Sequence, residues 1–342
     1  MRKYERERKG IRKSFRVPKV NWVTSPDKIT IVKEVRASAD AARYNELYDS
    51  NAKHIQRLYR KYRDAILHGD KRQSQLRTGD SINIGDLIRN VIDSTGGNEA
   101  QNDFFERIIP ADTRDQISIA ILVDESGSMG GKRQRAARDT CIILGTVLEK
   151  LGIHDYGIWG FVTGKYPSGA YSRASPLYER YLELCVYKDF DEKWQVSKGR
   201  MPNIRASGDT PTAPAILHAA GKLAERKKRV KLLIVITDGE PASWIHPYLA
   251  ANVYQLPMLT SEINVTKFSI DAARRTGIEV VGIGIHDPEL VKIYPGAANF
   301  VPNMIDLFGA KNAVINEDLS QLLDDTLSVI DKRLQRLGVA GI

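Results

Sequence analysis

From about residue 104 onward, the sequence alternates between short apolar runs and longer amphipathic stretches. Three runs are continuously apolar, at residues 117–123, 230–237 and 278–285, as expected for strands buried on both faces. Strands that alternate with helices predict an α/β fold with a doubly wound, mostly parallel sheet of the Rossmann-like kind. Further strands are predicted at residues 155–162, 178–187 and 299–301, and helices at 132–151, 210–227, 264–276 and 317–337.

The first third of the chain follows a different pattern. Residues 29–36 alternate as a strand does, and residues 38–68 place apolar side chains at helical spacing opposite a basic face. We expect this helix to pack on its own domain rather than on a membrane surface. A short helix at residues 85–93 and a polar loop at 94–103 follow. The predicted domains are a basic extended arm (1–36), a helical flanking region (37–110) and the α/β domain (111–342).

The positive charge is concentrated at the N-terminus. The whole chain carries a formal net charge of +9, and residues 1–36 hold twelve Lys or Arg against four Asp or Glu. A basic arm of this kind can bind nucleic acid or an acidic protein surface, although such arms are more often solvated tails. A nucleic-acid-associated accessory protein that uses residues 1–36 is therefore the alternative hypothesis.

Composition favours a cytoplasmic protein. No apolar run approaches the roughly 20 residues of a membrane span, and the basic N-terminal residues are not followed by the apolar segment of a secretory signal. The only two cysteines, Cys141 and Cys185, cannot make a disulfide framework or a zinc site by themselves. We expect a reduced, cytoplasmic setting and no contact with a membrane.

The candidate site lies where the buried strands end. Residues 124–129 (DESGSM) directly follow the first buried strand and place one carboxylate and two hydroxyls two residues apart in a turn. Thr210 stands at the start of a later predicted helix, and Asp238 directly follows the strand at 230–237. Because ligands of open α/β sheets bind beyond the carboxyl ends of the strands, we expect these loops to meet.

These three loops resemble the metal-ion-dependent adhesion site (MIDAS) of the von Willebrand factor A (vWA) superfamily over roughly residues 115–337. The resemblance implies a divalent-cation site whose ligands, direct or through water, are Asp124, Ser126, Ser128, Thr210 and Asp238. Such hard oxygen ligands suit Mg²⁺ best, with Mn²⁺ as the alternative.

The expected mechanism is binding rather than catalysis. Two carboxylates leave the coordination sphere of a divalent ion open, so the ion can accept an Asp or Glu from a partner protein. The chain contains no Walker A motif and no H-E-x-x-H. No general base beside the site and no second metal cluster are evident. We therefore expect a protein that is not an enzyme, without hydrolase activity of its own.

The flanks resemble the vWA-bearing T subunit of cobaltochelatase and its relatives. The resemblance lies in residues 54–66 (HIQRLYRKYRDAI), 79–89 (GDSINIGDLIR) and 277–287 (GIEVVGIGIHD). It implies a metal-dependent adaptor that works with an AAA+ ATPase of the MoxR/CobS type in a remodelling or metal-insertion complex. Residues 241–261 form an aromatic-rich insert near the metal loops, where specificity for a partner could be encoded.

Overall fold

The fold was analysed in a computed structural model of the 342-residue chain. The structure describes residues 32–67, 71–76, 81–82, 84–95, 104–109, 114–165, 180–241, 262–285, 300–316, 323–330 and 332. Most of the basic arm, nearly all of the insert at 241–261 and residues 96–103 of the loop predicted at 94–103 lie outside these residues, whereas residues 94–95 end a helix.

A seven-stranded sheet forms the centre of the molecule, in the order β1-β7-β6-β5-β8-β9-β10. Strands β6 and β7 pair antiparallel, and all other neighbours are parallel. The prediction of a mostly parallel α/β sheet is confirmed. The strands of this sheet are β1 (Val32–Arg36), β5 (Ile117–Asp124), β6 (Tyr156–Lys165), β7 (Arg180–Lys188), β8 (Val230–Thr237), β9 (Ile278–Ile285) and β10 (Ala313–Asn316).

The three continuously apolar runs are the middle strands of this sheet. Every residue of β5 is buried, and so are the last six residues of β8 and of β9. Strands with buried side chains on both faces need helices on both faces, because each apolar face must be covered.

Helices cover the sheet on both faces. On one face, α1 and α3 pack with the helical residues 323–330, through side chains such as Leu58, Ile142 and Leu327. On the other face, Ile216, Ile270 and Phe308 come from α5, α6 and α7. The helices are α1 (Ala41–Leu67), α2 (Ile84–Thr95), α3 (Lys132–Lys150), the short α4 (Trp194–Ser197), α5 (Thr212–Glu225), α6 (Glu262–Arg275) and α7 (Phe300–Phe308).

The long N-terminal helix α1 belongs to the packed body. Ile55 and Leu58 are buried in the core, and the Tyr62 hydroxyl donates to the carbonyl of Asp324 at 2.8 Å. Our expectation that this helix packs on its own domain is confirmed. The domain boundaries at residues 36 and 110 stay predictions. In the structure, β1 pairs with the main sheet and α1 packs against it.

Two parts of the fold differ from the sequence prediction. Residues 300–301, expected in a short strand, begin helix α7, and the edge strand lies later, at β10. A second, three-stranded antiparallel sheet in the flanking region was not predicted. It has the order β2-β4-β3, with β2 at Lys71–Leu76, β3 at Ser81–Ile82 and β4 at Phe105–Ile109.

Among the described residues, no helix is both long enough and apolar enough to cross a membrane.

Candidate metal centre

The first loop of the site begins where β5 ends. Asp124 is the last residue of the strand, and its Oδ1 accepts a hydrogen bond from the backbone N–H of Ser126 at 2.9 Å. The hydroxyls of Ser126 and Ser128 lie 3.0 Å apart. The turn therefore brings all three predicted side chains of the first loop together.

The second loop is tied to the first through its backbone. The N–H of Gly127 donates to the carbonyl of Gly208 at 2.9 Å, and the N–H of Ser207 donates to the carbonyl of Glu125. Gly208 has a φ of +62°, and a Cβ there would lie 3.0 Å from the carbonyl oxygen of Thr163, so a larger residue would be strained. This close approach positions the buried Thr210, two residues before α5, next to the first loop.

The third loop follows β8, the strand adjacent to β5. The hydroxyl of Thr237 donates to Oδ2 of Asp124 at 2.7 Å, and Asp238 is the next residue. Asp124 and Asp238 are 2% and 1% exposed, so two carboxylates lie buried at the same edge of the sheet. The three loops that carry the five predicted residues thus lie at the same edge of the sheet.

The negative charge of Asp124 is only partly compensated by the protein. Burial and, after it, the negative charge of Asp238 raise the pKa of Asp124 to about 7. Hydrogen bonds from Ser126 and Thr237 oppose this rise but do not cancel it. A divalent cation bound there would offset both the desolvation of the buried carboxylates and their mutual repulsion, because a nearby positive charge favours the ionised form.

The donor set fits a hard divalent ion. Carboxylate and hydroxyl oxygens are the ligands Mg²⁺ accepts, usually with retained waters. Across the described part of the chain, no group of three or more His, Cys, Asp or Glu could hold a metal ion. Hydroxyls must therefore complete any metal site here, as the side chains of Ser126, Ser128 and Thr210 can.

Sequence reasoning missed Arg133, which lies inside the site. Its Nη1 donates to Oδ2 of Asp238 at 3.1 Å, and only 4% of the residue is exposed. The first turn of this helix also carries Lys132 and Arg135, so no local pattern in the sequence singles out Arg133.

Sequence reasoning also missed Glu125, which lies on the core side of the first loop. It is 1% exposed, and its carboxyl contacts the hydroxyl of Tyr187 and accepts from the N–H of Arg205 at 3.2 Å. Burial raises the pKa of this carboxyl. Because Arg205 belongs to the second loop, Glu125 holds the first and second loops together.

Three residues with side chains that can bind metals are structural here. His218 is buried on α5 with Nε2 2.9 Å from Glu34. Cys141 and Cys185 are both free and buried. Burial raises the pKa of both thiols well above their usual range.

A comparison with known families shows the family of the chain. Residues 110–324 match the family described as the cobalamin biosynthesis protein CobT VWA domain. The chain belongs to this family. The match covers more than half of the chain and includes all five candidate ligands, and it confirms the predicted relation to the T-subunit group.

Solved structures with similar folds come from several bacteria. The open conformation of the pilus adhesin SpaC from Lactobacillus rhamnosus GG has a TM-score of 0.42 at 18% identity, over 64% of this chain and 30% of that chain. The vWF domain of the type V pili tip protein Mfa5 from Porphyromonas gingivalis has a TM-score of 0.39 at 12% identity, over 64% of this chain and 96% of that chain. A von Willebrand factor type A protein from Catenulispora acidiphila has a TM-score of 0.35 at 16% identity, over 64% of this chain and 43% of that chain. The chain thus spans about a third of the adhesin's length, and no function is transferred from these proteins.

The family match corrects the expectation that the protein has no part in an enzyme. We expected a protein that is not an enzyme, because no catalytic residues are evident at the site. CobT is a subunit of cobaltochelatase and therefore a component of an enzyme. The expectation is wrong because a subunit can take part in catalysis by a complex without carrying the reacting groups itself.

Proposed function

We propose that this chain is the vWA subunit of a cobaltochelatase-like complex and binds a partner protein through a divalent cation in an intact MIDAS. The observation that carries the proposal is that two buried carboxylates, Asp124 and Asp238, lie at one edge of the sheet beside the paired hydroxyls of Ser126 and Ser128, with the loop of Thr210 bonded to the same turn. The family match supports a role related to cobalamin biosynthesis. We place the protein in the cytoplasm, in keeping with its two free cysteines.

Five residues would hold the ion, which is Mg²⁺ by preference. The hydroxyls of Ser126, Ser128 and Thr210 offer neutral oxygens, and the carboxylates of Asp124 and Asp238 supply the charge. When bound, the ion acts as a Lewis acid with an open position for an Asp or Glu of the partner. Thr237 orients Asp124 through its 2.7 Å hydrogen bond, and Arg133 contacts Asp238.

The partner that fits this role is an AAA+ ATPase of the MoxR/CobS type. The ATPase would supply the energy, and this chain would engage the partner or the substrate of the complex. A carboxylate from the partner suits the site because the open coordination position of a divalent ion accepts a negatively charged oxygen.

The test is capture of a MoxR/CobS-type ATPase on the immobilised full-length chain. We expect capture in Mg²⁺, its loss in EDTA, and its loss with Asp124→Ala even in Mg²⁺. The matched control is Asp49→Ala, which removes an exposed carboxylate on α1 and should capture normally. Capture that withstands both EDTA and Asp124→Ala would refute the metal bridge.

A nucleic-acid-associated role for residues 1–36 is a separate hypothesis, supported by the surplus of eight positive charges there. It predicts binding of DNA or RNA that weakens steeply with salt and disappears when residues 1–31 are deleted. Absence of binding at low salt, where phosphate contacts are strongest, would dismiss it.

A further inference from the structure

Arg133 occupies a position that is costly for a cation. It is the second residue of α3, where the partial positive charge of the helix N-terminus disfavours another positive group. The side chain is 5% exposed, and its Nε is buried without a hydrogen-bond partner. A buried charge of this kind persists only when an opposite charge compensates for the lost water.

The compensation comes from the metal loops themselves. Nη1 of Arg133 lies 3.1 Å from Oδ2 of Asp238 and 3.4 Å from the carbonyl oxygen of Ser128. The Asp238 side chain is fully buried, and Asp124 is buried in the same site. The guanidinium therefore uses one of the two carboxylates that would serve a divalent ion.

The charges do not allow both cations to be satisfied equally. Arg133 already neutralises part of the negative charge at Asp238 and at Glu240, whose carboxyl interacts electrostatically with both side chains. A divalent ion added while the guanidinium stays on Asp238 would have to share that buried carboxylate with a second cation. Like charges this close repel strongly in a buried site.

We infer that Arg133 is the built-in counter-ion of the metal-free site, and that a divalent cation binds by displacing its guanidinium from Asp238. Arg133 therefore lowers the affinity of the site for metal. This inference rests on the proposed metal site and adds a residue that sets its affinity.

The test is Mg²⁺ affinity of the full-length chain by isothermal titration calorimetry. We expect Arg133→Met to bind Mg²⁺ about ten-fold more tightly than the wild type, since a charge-assisted hydrogen bond no longer competes. Arg133→Gln, which keeps a donor without the charge, should also bind more tightly. Two controls, Lys132→Met beside Arg133 and Arg138→Met, which pairs with Asp139, should stay within about two-fold of the wild type.

Thermal unfolding separates competition from a merely structural role. In EDTA, Arg133→Met should melt below the wild type, because Asp124 and Asp238 lose their counter-ion. Saturating Mg²⁺ should close this gap, so that the rise in Tm caused by Mg²⁺ is larger in the variant. A structural role would lower Tm equally with and without Mg²⁺.

The outcomes distinguish the two proposals. Mg²⁺ binding that is unchanged or weaker in both Arg133 variants overturns the inference and leaves the metal site intact. No Mg²⁺ binding by the wild type or any variant overturns the metal site, and the inference with it. Binding by the Arg133 variants alone would support the displacement of Arg133 most strongly.

Discussion

The buried contact between Glu125 and Tyr187 gives a prediction that links core packing to the metal site. In Tyr187→Phe, the Glu125 carboxyl loses its hydrogen bond with the phenol hydroxyl. It keeps those with the N–H of Arg205 and the thiol of Cys185. Its Oε2 has no hydrogen-bond partner even in the wild type. The carbonyl of Asn203 lies 3.0 Å from the same hydroxyl, so the single phenolic proton serves these two acceptors and is lost to both in the variant.

The expected cost follows from burial. Leaving a buried polar group without its partner costs about 1–3 kcal/mol, and a domain of this size loses roughly 2–4 °C of Tm per kcal/mol. Because Glu125 joins the first and second metal loops, we also expect Mg²⁺ affinity to fall about ten-fold, as for other residues that orient metal ligands. Urea unfolding in EDTA measures the first effect, and calorimetric titration measures the second.

Tyr156→Phe is the matched control. Its hydroxyl is equally buried and donates to the carbonyl of Gly145 at 3.0 Å, in contact with helix α3 rather than with a metal loop. This variant should lose stability and keep the wild-type Mg²⁺ affinity. Equal losses of stability with unchanged Mg²⁺ affinity in both variants would show that Glu125 does not position the site.

Two further predictions test the fold around the site. Hydrogen bonding from His218, with Lys222 nearby, lowers the pKa of Glu34 to about 2, so its carboxylate stabilises the fold above the unfolded pKa near 4.5 and stops doing so as the pH falls toward 2. Because Glu34 is 37% exposed, Glu34→Gln should cost only about 0.5–1 kcal/mol at pH 7 by urea unfolding, and a difference that does not shrink between pH 5 and pH 2.5 would contradict this assignment. Gly282→Ala would place a Cβ 2.3 Å from the ring of Phe308 and should destabilise by about 1–3 kcal/mol. Its control Gly221→Ala, in open space on α5, should be neutral or stabilising by thermal unfolding, and equal losses in the two would refute the packing argument.

The central sheet and the metal loops were predictable because their signals are local. Strands β5, β8 and β9 are continuous apolar runs, and Asp124 and Asp238 directly follow or end two of them. Parallel strands bring their carboxyl ends to one edge, so the meeting of these residues follows from the strand pattern alone.

The partners Arg133 and Glu125 were not predictable in this way. Their roles depend on side chains about 60 to 105 residues away, Tyr187 and Asp238, and no short-range pattern specifies such pairs. The sequence prediction missed the three-stranded sheet for a similar reason, since β2 pairs with β4 across an intervening helix.

Helix α7 could have been found from spacing. Phe300, Met304 and Phe308 are buried and recur every four residues, which is the period of a helix face and not of a strand. The sequence prediction considered residues 299–301 alone and so did not use this spacing.

The central claim is that residues of three loops hold one divalent cation, and diffraction tests it most directly. Crystals of the full-length chain soaked in Mn²⁺ should give a single strong anomalous peak among Asp124, Ser126, Ser128, Thr210 and Asp238, with the Arg133 guanidinium moved away from Asp238. Crystals of Asp124→Ala treated in the same way should give no peak there. An anomalous map of the wild type with no peak at these residues would contradict the account.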